Sequence, residues 1–379
     1  MTKFVKLATV TEIVMGQAPS SNDCNKDGTG TPFVKAGEFG LSRPLIKEWT
    51  TNPLKFAKYD DVLLCVVGAT CGKINKGFDG AIGRSVAAVR AKPESIDKNY
   101  LYYFLQTWSL RLRAMSQGAA QTVITRDMIG NLEIPLPRIE EQRRIASILD
   151  KADELRQKRQ QAIEKLDQLL QATFIDMFGD PVSNPKGWNL GKLGDVIHSA
   201  KDGPHVSPSY SETGIPFLST RHVRAGKIVW DDLKFITEED AQIHWKKCKP
   251  TRGDILYTKG GTTGLAAVVD TDLDFAVWVH VALLKTNHDK VRSEWLVSML
   301  NTQYCYEQSQ RYTHGIANRD LGLKRMVNIE MYIPPLDEQD KFVNFKNKLL
   351  KNNLLFESSY SSLEQLFKSL QNQAFNGTL

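Results

Sequence analysis

Two stretches of the chain carry apolar residues at helical spacing and contain neither glycine nor proline. The first extends from Ile139 to Phe178, and the second covers residues 337–375. Good helix formers such as alanine, leucine, glutamine and lysine dominate the first stretch. Prolines precede both stretches, and a glycine follows each of them. The pattern therefore predicts two long helices, each a rod of roughly 60 Å.

The apolar residues of both helices recur at seven-residue intervals, which is typical of a coiled coil. Arg159 interrupts this row in the first helix, at the position that Phe356 holds in the second. Large side chains in one row match smaller ones in the other, so we expect the helices to pair and not merely to pack on separate globular domains. The predicted seam consists of Ile145, Ile148, Ala152, Leu155, Leu166 and Leu169 in the first helix and of Phe342, Phe345, Leu349, Phe356, Leu363, Leu366 and Leu370 in the second.

The segments that precede the two helices have a different pattern. Short apolar and β-branched runs alternate there with glycine, asparagine and aspartate turns, which predicts β-strands. The clearest runs are residues 61–67, 86–89, 254–258 and 277–284. Each segment ends in a helical pattern, so both are expected to be domains that mix strands with helices.

The chain also repeats itself. The run from Asn131 to Gln142, Asn-Leu-Glu-Ile-Pro-Leu-Pro-Arg-Ile-Glu-Glu-Gln, recurs 197 residues later as Asn-Ile-Glu-Met-Tyr-Ile-Pro-Pro-Leu-Asp-Glu-Gln. This offset holds without a gap as far as Phe178 and Phe375, whereas the preceding segments match less tightly, with offsets that drift from 184 to 197. A register kept this long indicates two copies of one structural unit.

Together these patterns predict an α+β chain of four parts. The parts are a first domain (1–137), a central long helix (138–184), a second domain (185–335) and a C-terminal long helix (336–379). We expect two tandem α/β domains joined by two long helices, which form an antiparallel coiled coil with pseudo-twofold symmetry. A domain pair with a shared scaffold and different loops is expected when one fold carries two specificities.

Composition agrees with a globular protein of more than one domain, because 379 residues exceed the usual size of one core. No apolar run approaches the roughly 18 residues that span a bilayer, and the start lacks the apolar stretch of a signal peptide. The five cysteines form no C-x-x-C pair, which argues against a disulfide framework or a zinc ribbon. The seven histidines lack metal-ligand spacing, so no metal site is predicted. We expect a cytoplasmic protein.

The net charge of +6 is unevenly distributed. Residues 1–137 carry a net charge of +5 and residues 185–335 are also basic, whereas the predicted helices are close to neutral. Such a basic excess is consistent with a polyanionic partner.

No motif predicts a catalytic centre. The run from Gly68 to Lys73, Gly-Ala-Thr-Cys-Gly-Lys, is one residue short of a phosphate loop and is followed by Ile74 instead of Ser or Thr, so a glycine turn is the better interpretation. Cys71 has no histidine close in sequence, and its counterpart in the second copy is Gly264. The Pro-Pro pair that follows Ile333 lacks the flanking residues of an adenine methyltransferase motif, so we interpret it as a break before the helix.

Polar loops rich in hydrogen-bond donors remain, and they recur at equivalent places in both copies. Gln and Asn can pair with adenine, Arg and Lys with guanine, and Thr can contact the thymine methyl group. For any one of these residues a solvated loop is an equally good interpretation. The candidate DNA-binding residues are Gln17, Lys35, Thr70, Lys73, Arg84, Gln117 and Gln121 in the first copy and His205, Arg221, His222, Lys259, Thr262, Thr263, His314, Asn318 and Arg319 in the second.

The alternation of variable domain and long helix, with a Pro-containing junction and Glu-Gln at each helix entry, resembles the specificity subunit of type I restriction-modification systems. The resemblance covers essentially the whole chain. It implies that each domain is a target-recognition domain for one half of a bipartite double-stranded DNA site. It also implies that the helices set the spacer and dock two methyltransferase subunits, with restriction subunits as further partners.

The resemblance further implies a prokaryotic cytoplasmic protein that is itself non-catalytic. The resemblance also implies that the chain binds no cofactor of its own and that S-adenosylmethionine is bound by the partner methyltransferase. Two other functions stay open at this point. A duplicated protein-interaction scaffold would use the same loops on protein, and its affinity would lack the steep salt dependence of DNA binding. A DNA-modifying enzyme is disfavoured because the chain has no cofactor motif.

Overall fold

The computed structural model describes residues 3–116, 123–315 and 319–379. Contacts between residues divide the chain into two compact units. Unit 1 comprises residues 1–162 and 356–379, and unit 2 comprises residues 163–355. Each unit therefore contains one globular domain together with parts of both long helices.

Unit 1 contains a two-stranded sheet (β1-β11), a four-stranded sheet (β2-β10-β7-β8) and a five-stranded sheet (β3-β5-β4-β9-β6). Its strands are β1 (Phe4–Lys6), β2 (Thr11–Met15), β3 (Cys24–Asn25), β4 (Thr31–Val34), β5 (Glu48–Thr50), β6 (Phe56–Ala57), β7 (Val62–Cys65), β8 (Ile74–Lys76), β9 (Gly80–Ile82), β10 (Val86–Ala91) and β11 (Glu133–Pro135). Its helices are α1 (Leu7–Val10), α2 (Lys98–Met115), α3 (Arg126–Gly130), the first part of α4 (Ile139–Phe178) and the last part of α9 (Leu336–Asn376).

Unit 2 repeats this plan with sheets β12-β23, β13-β22-β19-β20 and β14-β18-β15-β21 and a hairpin of β16 and β17. Its strands are β12 (Asn189–Lys192), β13 (Ile197–Asp202), β14 (Tyr210–Ser211), β15 (Ile215–Leu218), β16 (Val223–Arg224), β17 (Lys227–Ile228), β18 (Lys234–Ile236), β19 (Ile255–Thr258), β20 (Ala266–Val268), β21 (Ala276–Val277), β22 (Val281–Thr286) and β23 (Glu330–Ile333). Its helices are the last part of α4, α5 (Glu238–Cys248), α6 (Ser293–Leu300), α7 (Gln303–Tyr312), α8 (Leu323–Met326) and the first part of α9 (Leu336–Asn376).

The two long helices pack against each other in an antiparallel direction. In unit 1, Arg156 of α4 forms an ion pair with Glu364 of α9, with 2.5 Å between Nη1 and Oε1. Arg144, earlier in α4, donates from Nη2 to the backbone oxygen of Leu379, 2.9 Å away. Residue numbers thus rise along one helix as they fall along the other. This confirms the predicted α+β fold with antiparallel helix pairing.

Each unit closes its core with the end of a long helix. In unit 1 the ring of Phe375 lies 5.1 Å from Tyr100 and 5.5 Å from Phe104, measured between centroids. In unit 2 the ring of Phe178 lies 6.0 Å from Trp295 and 5.6 Å from Phe342. The repeated phenylalanine at the end of each helix therefore packs on the core of a globular domain, where Phe178 is fully buried and Phe375 is half-buried.

The structure corrects the predicted helix seam at Leu155, Leu169 and Leu366. These side chains are 46%, 47% and 50% exposed, so they lie outside the packed interface. Of the other predicted positions, Ile145, Ala152 and Phe342 are buried, and Ile148, Leu166, Phe345, Leu349, Phe356, Leu363 and Leu370 are half-buried.

The second row of the seam lies four residues after the first, not three. Leu149, Phe367 and Ala374 occupy this row and are buried. Polar side chains fill other positions of the same row. Among them, Arg156 is ion-paired with Glu364, and Lys346 is buried. A search for apolar residues alone therefore selected the neighbouring row.

A buried glutamine joins each long helix to its domain. Gln142 accepts a hydrogen bond from the backbone N–H of Asp97 at 2.9 Å and donates to the carbonyl oxygen of Pro137 at 2.9 Å. Gln339 makes the same contacts with the N–H of Arg292 at 2.8 Å and the carbonyl oxygen of Pro334 at 2.8 Å. The Gln of the repeated Glu-Gln motif is thus a structural anchor that fixes the first turn of each helix.

Replacing Gln339 with alanine is expected to destabilise unit 2 by about 2 to 3 kcal/mol, because it leaves a buried N–H and carbonyl groups without partners. Thermal unfolding of the purified chain measures this effect. Gln365, on the exposed face of α9, provides the matched control, and Gln365→Ala should leave the melting temperature nearly unchanged. Equal melting temperatures for the two variants would contradict the anchoring role.

Candidate nucleic-acid interface

In both units the loops that carry most of the candidate residues meet at one edge of the four-stranded sheet. In unit 2, β22 pairs with β13 and β19 in antiparallel register, so that the ends of β13 and β19 lie beside the start of β22. In unit 1, β10 pairs with β2 and β7 in the same way. Antiparallel pairing thus brings three connecting loops together at the same sheet edge of each unit.

Matching backbone hydrogen bonds show which positions of the two edges are equivalent. The N–H of Val66 donates to the carbonyl of Ser85 at 2.9 Å, as the N–H of Lys259 donates to that of His280 at 2.9 Å. The carbonyl of Val66 then accepts from Ile124, as the carbonyl of Lys259 accepts from Leu321. Val66 and Lys259 therefore hold one scaffold position with different chemistry.

The same comparison corrects the counterpart assigned to Cys71. The N–H groups of Gly72 and Gly264 donate to the carbonyls of Cys65 and Thr258, the last residues of β7 and β19. Both glycines have positive φ, 90° and 94°, a conformation that favours glycine. Gly72 is thus the equivalent of Gly264, and the sequence alignment was wrong by one residue because the loop of unit 1 is one residue longer.

A cavity of about 1000 Å³ opens at this edge of unit 2. Its lining combines basic, acidic and imidazole side chains with glycine backbone. The lining residues are Asp202, His205, Thr220, Lys259, Gly260, Gly261, Val279, His280, Arg319, Asp320, Gly322, Leu323, Lys324 and Arg325. The cavity therefore offers both hydrogen-bond donors and acceptors at the end of the sheet.

Lys259 lies at the base of the cavity and is only 5% exposed. Its ammonium Nζ lies 3.2 Å from Oδ2 of Asp202 and 3.1 Å from Oδ1 of Asp320. It also donates to the carbonyl oxygen of Val279 at 3.4 Å. These contacts surround the ammonium group with two carboxylates and a carbonyl oxygen, so Lys259 is an internal group that holds two carboxylates.

The carboxylate of Asp202 is held from two sides. Besides Lys259, Lys247 places its Nζ 2.5 Å from Oδ1. Burial of Asp202 opposes ionisation, but the hydrogen bonds from Lys247 and Lys259 outweigh it, so that the pKa of Asp202 lies below its ordinary value. Asp202 therefore stays ionised, and its charge is neutralised within the protein.

The same edge of unit 1 is apolar at its base. Met15 and Val66 take the positions of Asp202 and Lys259. Polar groups lie on the loops around them, where Gln17, Thr70 and Arg84 are exposed. The two units thus present chemically different surfaces on one backbone frame.

Two further candidates of unit 1 are tied down by neighbouring groups. Lys73 is exposed and donates from Nζ to the carbonyl oxygen of Phe39 at 2.8 Å. Lys35 forms an ion pair with Glu48 across β4 and β5, with 2.6 Å between Nζ and Oε2. Both can still approach a phosphate, but each would exchange an existing contact.

In unit 2 the structure brings His205, Lys259 and Arg319 together around the cavity. Thr262 and His314 are exposed on the adjoining loops. Arg221 is exposed and forms an ion pair with Asp232, with 2.8 Å between Nη1 and Oδ2. Gln117, Gln121 and Asn318 lie outside the residues that the structure describes.

The predicted roles of His222 and Thr263 are wrong, because each side chain is 2% exposed and bonded internally. The hydroxyl of Thr263 lies 3.0 Å from that of Thr313. Nδ1 of His222 accepts from the N–H of Ser219 at 2.8 Å and so stabilises a short 3₁₀ turn. Burial, and secondarily the charge of Arg221, lowers the pKa of His222, so the imidazole remains the neutral acceptor that this turn requires.

Unit 1 makes the equivalent turn with a carboxylate. There Oε2 of Glu38 accepts from the N–H of Lys35 at 2.7 Å. A histidine and a glutamate thus perform one structural task at equivalent positions, which explains why His222 sits in a polar loop without facing solvent.

Sequence reasoning missed Asp202, His280, Asp320 and Arg325, although all four line the cavity. Asp202 ends a strand and His280 precedes one, and only strand pairing brings them near Lys259. The available signal was Lys259 directly after the buried strand Ile255–Thr258, because a charge placed at the end of a buried strand is usually paired with an opposite one.

Within the described residues, no group of three or more His, Cys, Asp or Glu side chains is placed to hold a metal ion. In the same part of the chain, no helix has the length and apolar character needed to cross a membrane.

Known proteins resemble this chain along most of its length. The family model described as the type I restriction modification DNA specificity domain matches residues 2–165 and again residues 185–365. The type I restriction enzyme MjaVIII specificity subunit of Methanocaldococcus jannaschii is 24% identical over 366 residues, which cover 92% of this chain and 82% of that protein. The EcoBI specificity subunit of Escherichia coli is 19% identical over 412 residues, which cover 99% and 85% of the two chains.

The fold also matches a solved structure. The S subunit of the type I restriction-modification system from M. genitalium superposes with a TM-score of 0.60 at 17% identity, over 98% of this chain and 96% of that one. The family match covers both domains, and the relatives are matched over most of their own length. The chain therefore belongs to the type I restriction-modification DNA specificity family and is a non-catalytic DNA specificity subunit.

Proposed function

We propose that each unit reads one half of a bipartite DNA site and that the pair of long helices sets the distance between the halves. The observation that carries this proposal is the sheet edge that occurs in both units. Its backbone hydrogen bonds are the same in both copies, whereas its side chains differ, with Val66 in one and Lys259 in the other. One frame with two chemistries suits the recognition of two different half-sites.

The partner of this subunit is a methyltransferase that carries S-adenosylmethionine and acts on the selected site. Two methyltransferase subunits, one for each copy of the repeat, are proposed to bind along the long helices, and restriction subunits can join the complex. Support comes from the family match and from the repeat itself, because a duplicated surface suits two copies of one partner.

Mapping methylated bases in host DNA tests the proposal. Cells that contain the chain and its methyltransferase should show methylation at a two-part motif with an unread spacer, and this motif should disappear when the chain is removed. Arg84→Ala and Arg319→Ala alter exposed basic residues of units 1 and 2, respectively. Each variant is expected to reduce methylation by relaxing or weakening recognition of a different half of the motif.

A continuous motif, or the same half affected by both variants, would contradict the proposal. A protein-binding scaffold is distinguished by salt. The affinity of the purified complex for its DNA site should fall steeply between 50 and 200 mM salt, by roughly 10³-fold or more for six phosphate contacts, because phosphate contacts release counterions.

A further inference from the structure

The cavity of unit 2 contains a carboxylate that a surface for a polyanion would not be expected to keep. Asp320 lies on the rim with its side chain 47% exposed, next to Arg319, Lys324 and Arg325. A carboxylate near DNA phosphates is repelled unless it is neutralised and has a hydrogen-bond donor to meet. The carboxylate of Asp320 is therefore expected to bind a hydrogen-bond donor of the ligand.

The protein fixes the backbone of Asp320 on both sides. Its N–H donates to the carbonyl of His314 at 2.9 Å, and its carbonyl accepts from the N–H of His314 at 3.0 Å. The next residue, Leu321, donates to the carbonyl of Lys259 at 2.7 Å. Asp320 is thus held by strand-like pairing instead of lying on a free loop.

Its carboxylate is oriented and neutralised but not enclosed. Lys259 contacts Oδ1 at 3.1 Å, and Nη2 of Arg325 lies 3.7 Å from Oδ2. By contrast, Asp202, the other carboxylate on Lys259, is only 9% exposed in its side chain and has a second lysine partner. Of the two acids, Asp320 is the one that can accept a hydrogen bond from a ligand in the cavity.

An ionised carboxylate only accepts hydrogen bonds. In the major groove, guanine presents the acceptors O6 and N7, and thymine presents the acceptor O4, so neither can donate to a carboxylate. Adenine has an amino donor, but the acceptor N7 lies next to it. Cytosine presents its N4 amino donor beside an uncharged C–H edge. A carboxylate acceptor therefore favours cytosine over the other three bases.

We infer that Asp320 accepts a hydrogen bond from the N4 amino group of one cytosine in the half-site of unit 2, with Lys259 as the positioning residue. This inference rests on the proposed function. It replaces the earlier assignment of Lys259 as a base-contacting residue, because the ammonium group of Lys259 is already occupied by protein acceptors.

The test uses the full chain in complex with its methyltransferase and duplexes that contain the recognised site. In each duplex, one cytosine is replaced by 2-pyrimidinone, which lacks the N4 amino group. We expect one position in the half-site of unit 2 to weaken binding by about 5- to 150-fold for the natural chain. For Asp320→Ala the same replacement should have no effect, since the acceptor is already missing.

Asp289→Ala, an exposed aspartate of unit 2 outside the cavity lining, is the matched control and should respond to the missing amino group as the natural chain does. Asp320→Asn, which keeps an acceptor oxygen, should retain part of the response. The measurement on the natural chain needs no variant, so misfolding of Asp320→Ala would not prevent the test.

The outcomes separate this inference from the proposed function. If the natural complex recognises a bipartite site but no cytosine amino group matters in the half-site of unit 2, the role of Asp320 is overturned and the proposed function stands. The same conclusion follows if, relative to the natural chain, Asp320→Ala weakens binding to the intact duplex and to the amino-deleted duplex by the same factor. A complex that selects no bipartite site would overturn the proposed function itself.

Discussion

Replacing Phe367 with alanine is expected to destabilise unit 1 by about 3 to 5 kcal/mol, the usual cost of removing a buried aromatic side chain. The ring is 5% exposed and lies 5.9 Å from the ring of Tyr103. The guanidinium of Arg156 also stacks over it, 5.1 Å from the centroid. The variant therefore loses contacts with a domain helix and with the partner long helix at once.

Leu366 is the matched control, because it is the adjacent residue and is 50% exposed. Leu366→Ala should change the stability of unit 1 by less than about 1 kcal/mol. Thermal unfolding of both variants, followed by circular dichroism, measures the difference. The seven-residue pattern alone assigned Leu366 to the seam, so a larger loss for Leu366→Ala than for Phe367→Ala would restore that assignment and refute the register seen in the structure.

Replacing Lys346 with methionine is expected to stabilise unit 2 by about 3 kcal/mol at pH 7. Lys346 is 6% exposed, at the position that Leu149 holds in the first copy of the repeat. Its ammonium donates to the carbonyl of Glu294 at 3.2 Å and to the hydroxyl of Ser298 at 3.1 Å, and neither acceptor is a carboxylate. Burial lowers the pKa of Lys346 to about 8, and the charge of Glu294 only partly offsets this effect.

The pH dependence has a definite sign. Because the pKa of Lys346 is lower in the folded chain than in the unfolded one, protonation favours unfolding. The cost is fully present below pH 8 and is relieved as the pH rises towards the unfolded value of 10.5. At about 1.4 kcal/mol per pKa unit, the shift corresponds to about 3 kcal/mol. The stability gain of Lys346→Met should therefore shrink between pH 8 and 10.5.

Two controls belong to this measurement. Lys348→Met removes an exposed lysine of the same helix and should leave the melting temperature nearly unchanged. Leu149→Lys places a lysine at the equivalent buried position of the first copy and should destabilise unit 1. A stability difference between Lys346→Met and the natural chain that stayed constant from pH 7 to 10.5 would argue against the titration of Lys346 as its cause.

The long helices and the duplication could be predicted from sequence because both depend on local or directly comparable signals. The absence of glycine and proline from Ile139 to Phe178, together with good helix formers, indicated a long helix within the predicted segment 138–184, and the structure confirms a helix over Ile139–Phe178. The register of the helix pair could not be predicted in the same way. Lys346 and Arg156 lie in the seam, where their partners include Glu294, Ser298 and Glu364, which are remote in sequence.

The candidate site shows the same limit. His205 and Arg319 were predicted from loop composition and do line the cavity. Asp202 and Asp320 could not be selected, because 57 and 61 residues separate them from Lys259 and only sheet pairing brings the three together. His222 was predicted as a contact residue because a buried histidine that caps a turn and an exposed histidine occur in the same kind of polar loop. The sequence alone therefore does not distinguish them.

The division of each long helix between the units has a consequence for synthesis of the protein. The core of unit 1 uses Phe375, which leaves the ribosome only after all of residues 163–355. At about 5 to 20 residues per second, this delay lasts roughly 10 to 40 s. During that interval the surface around Tyr100 lacks its final covering segment. The first domain of the nascent chain therefore waits for the last helix, and a prematurely ended chain would present an apolar surface to the cell's quality-control machinery.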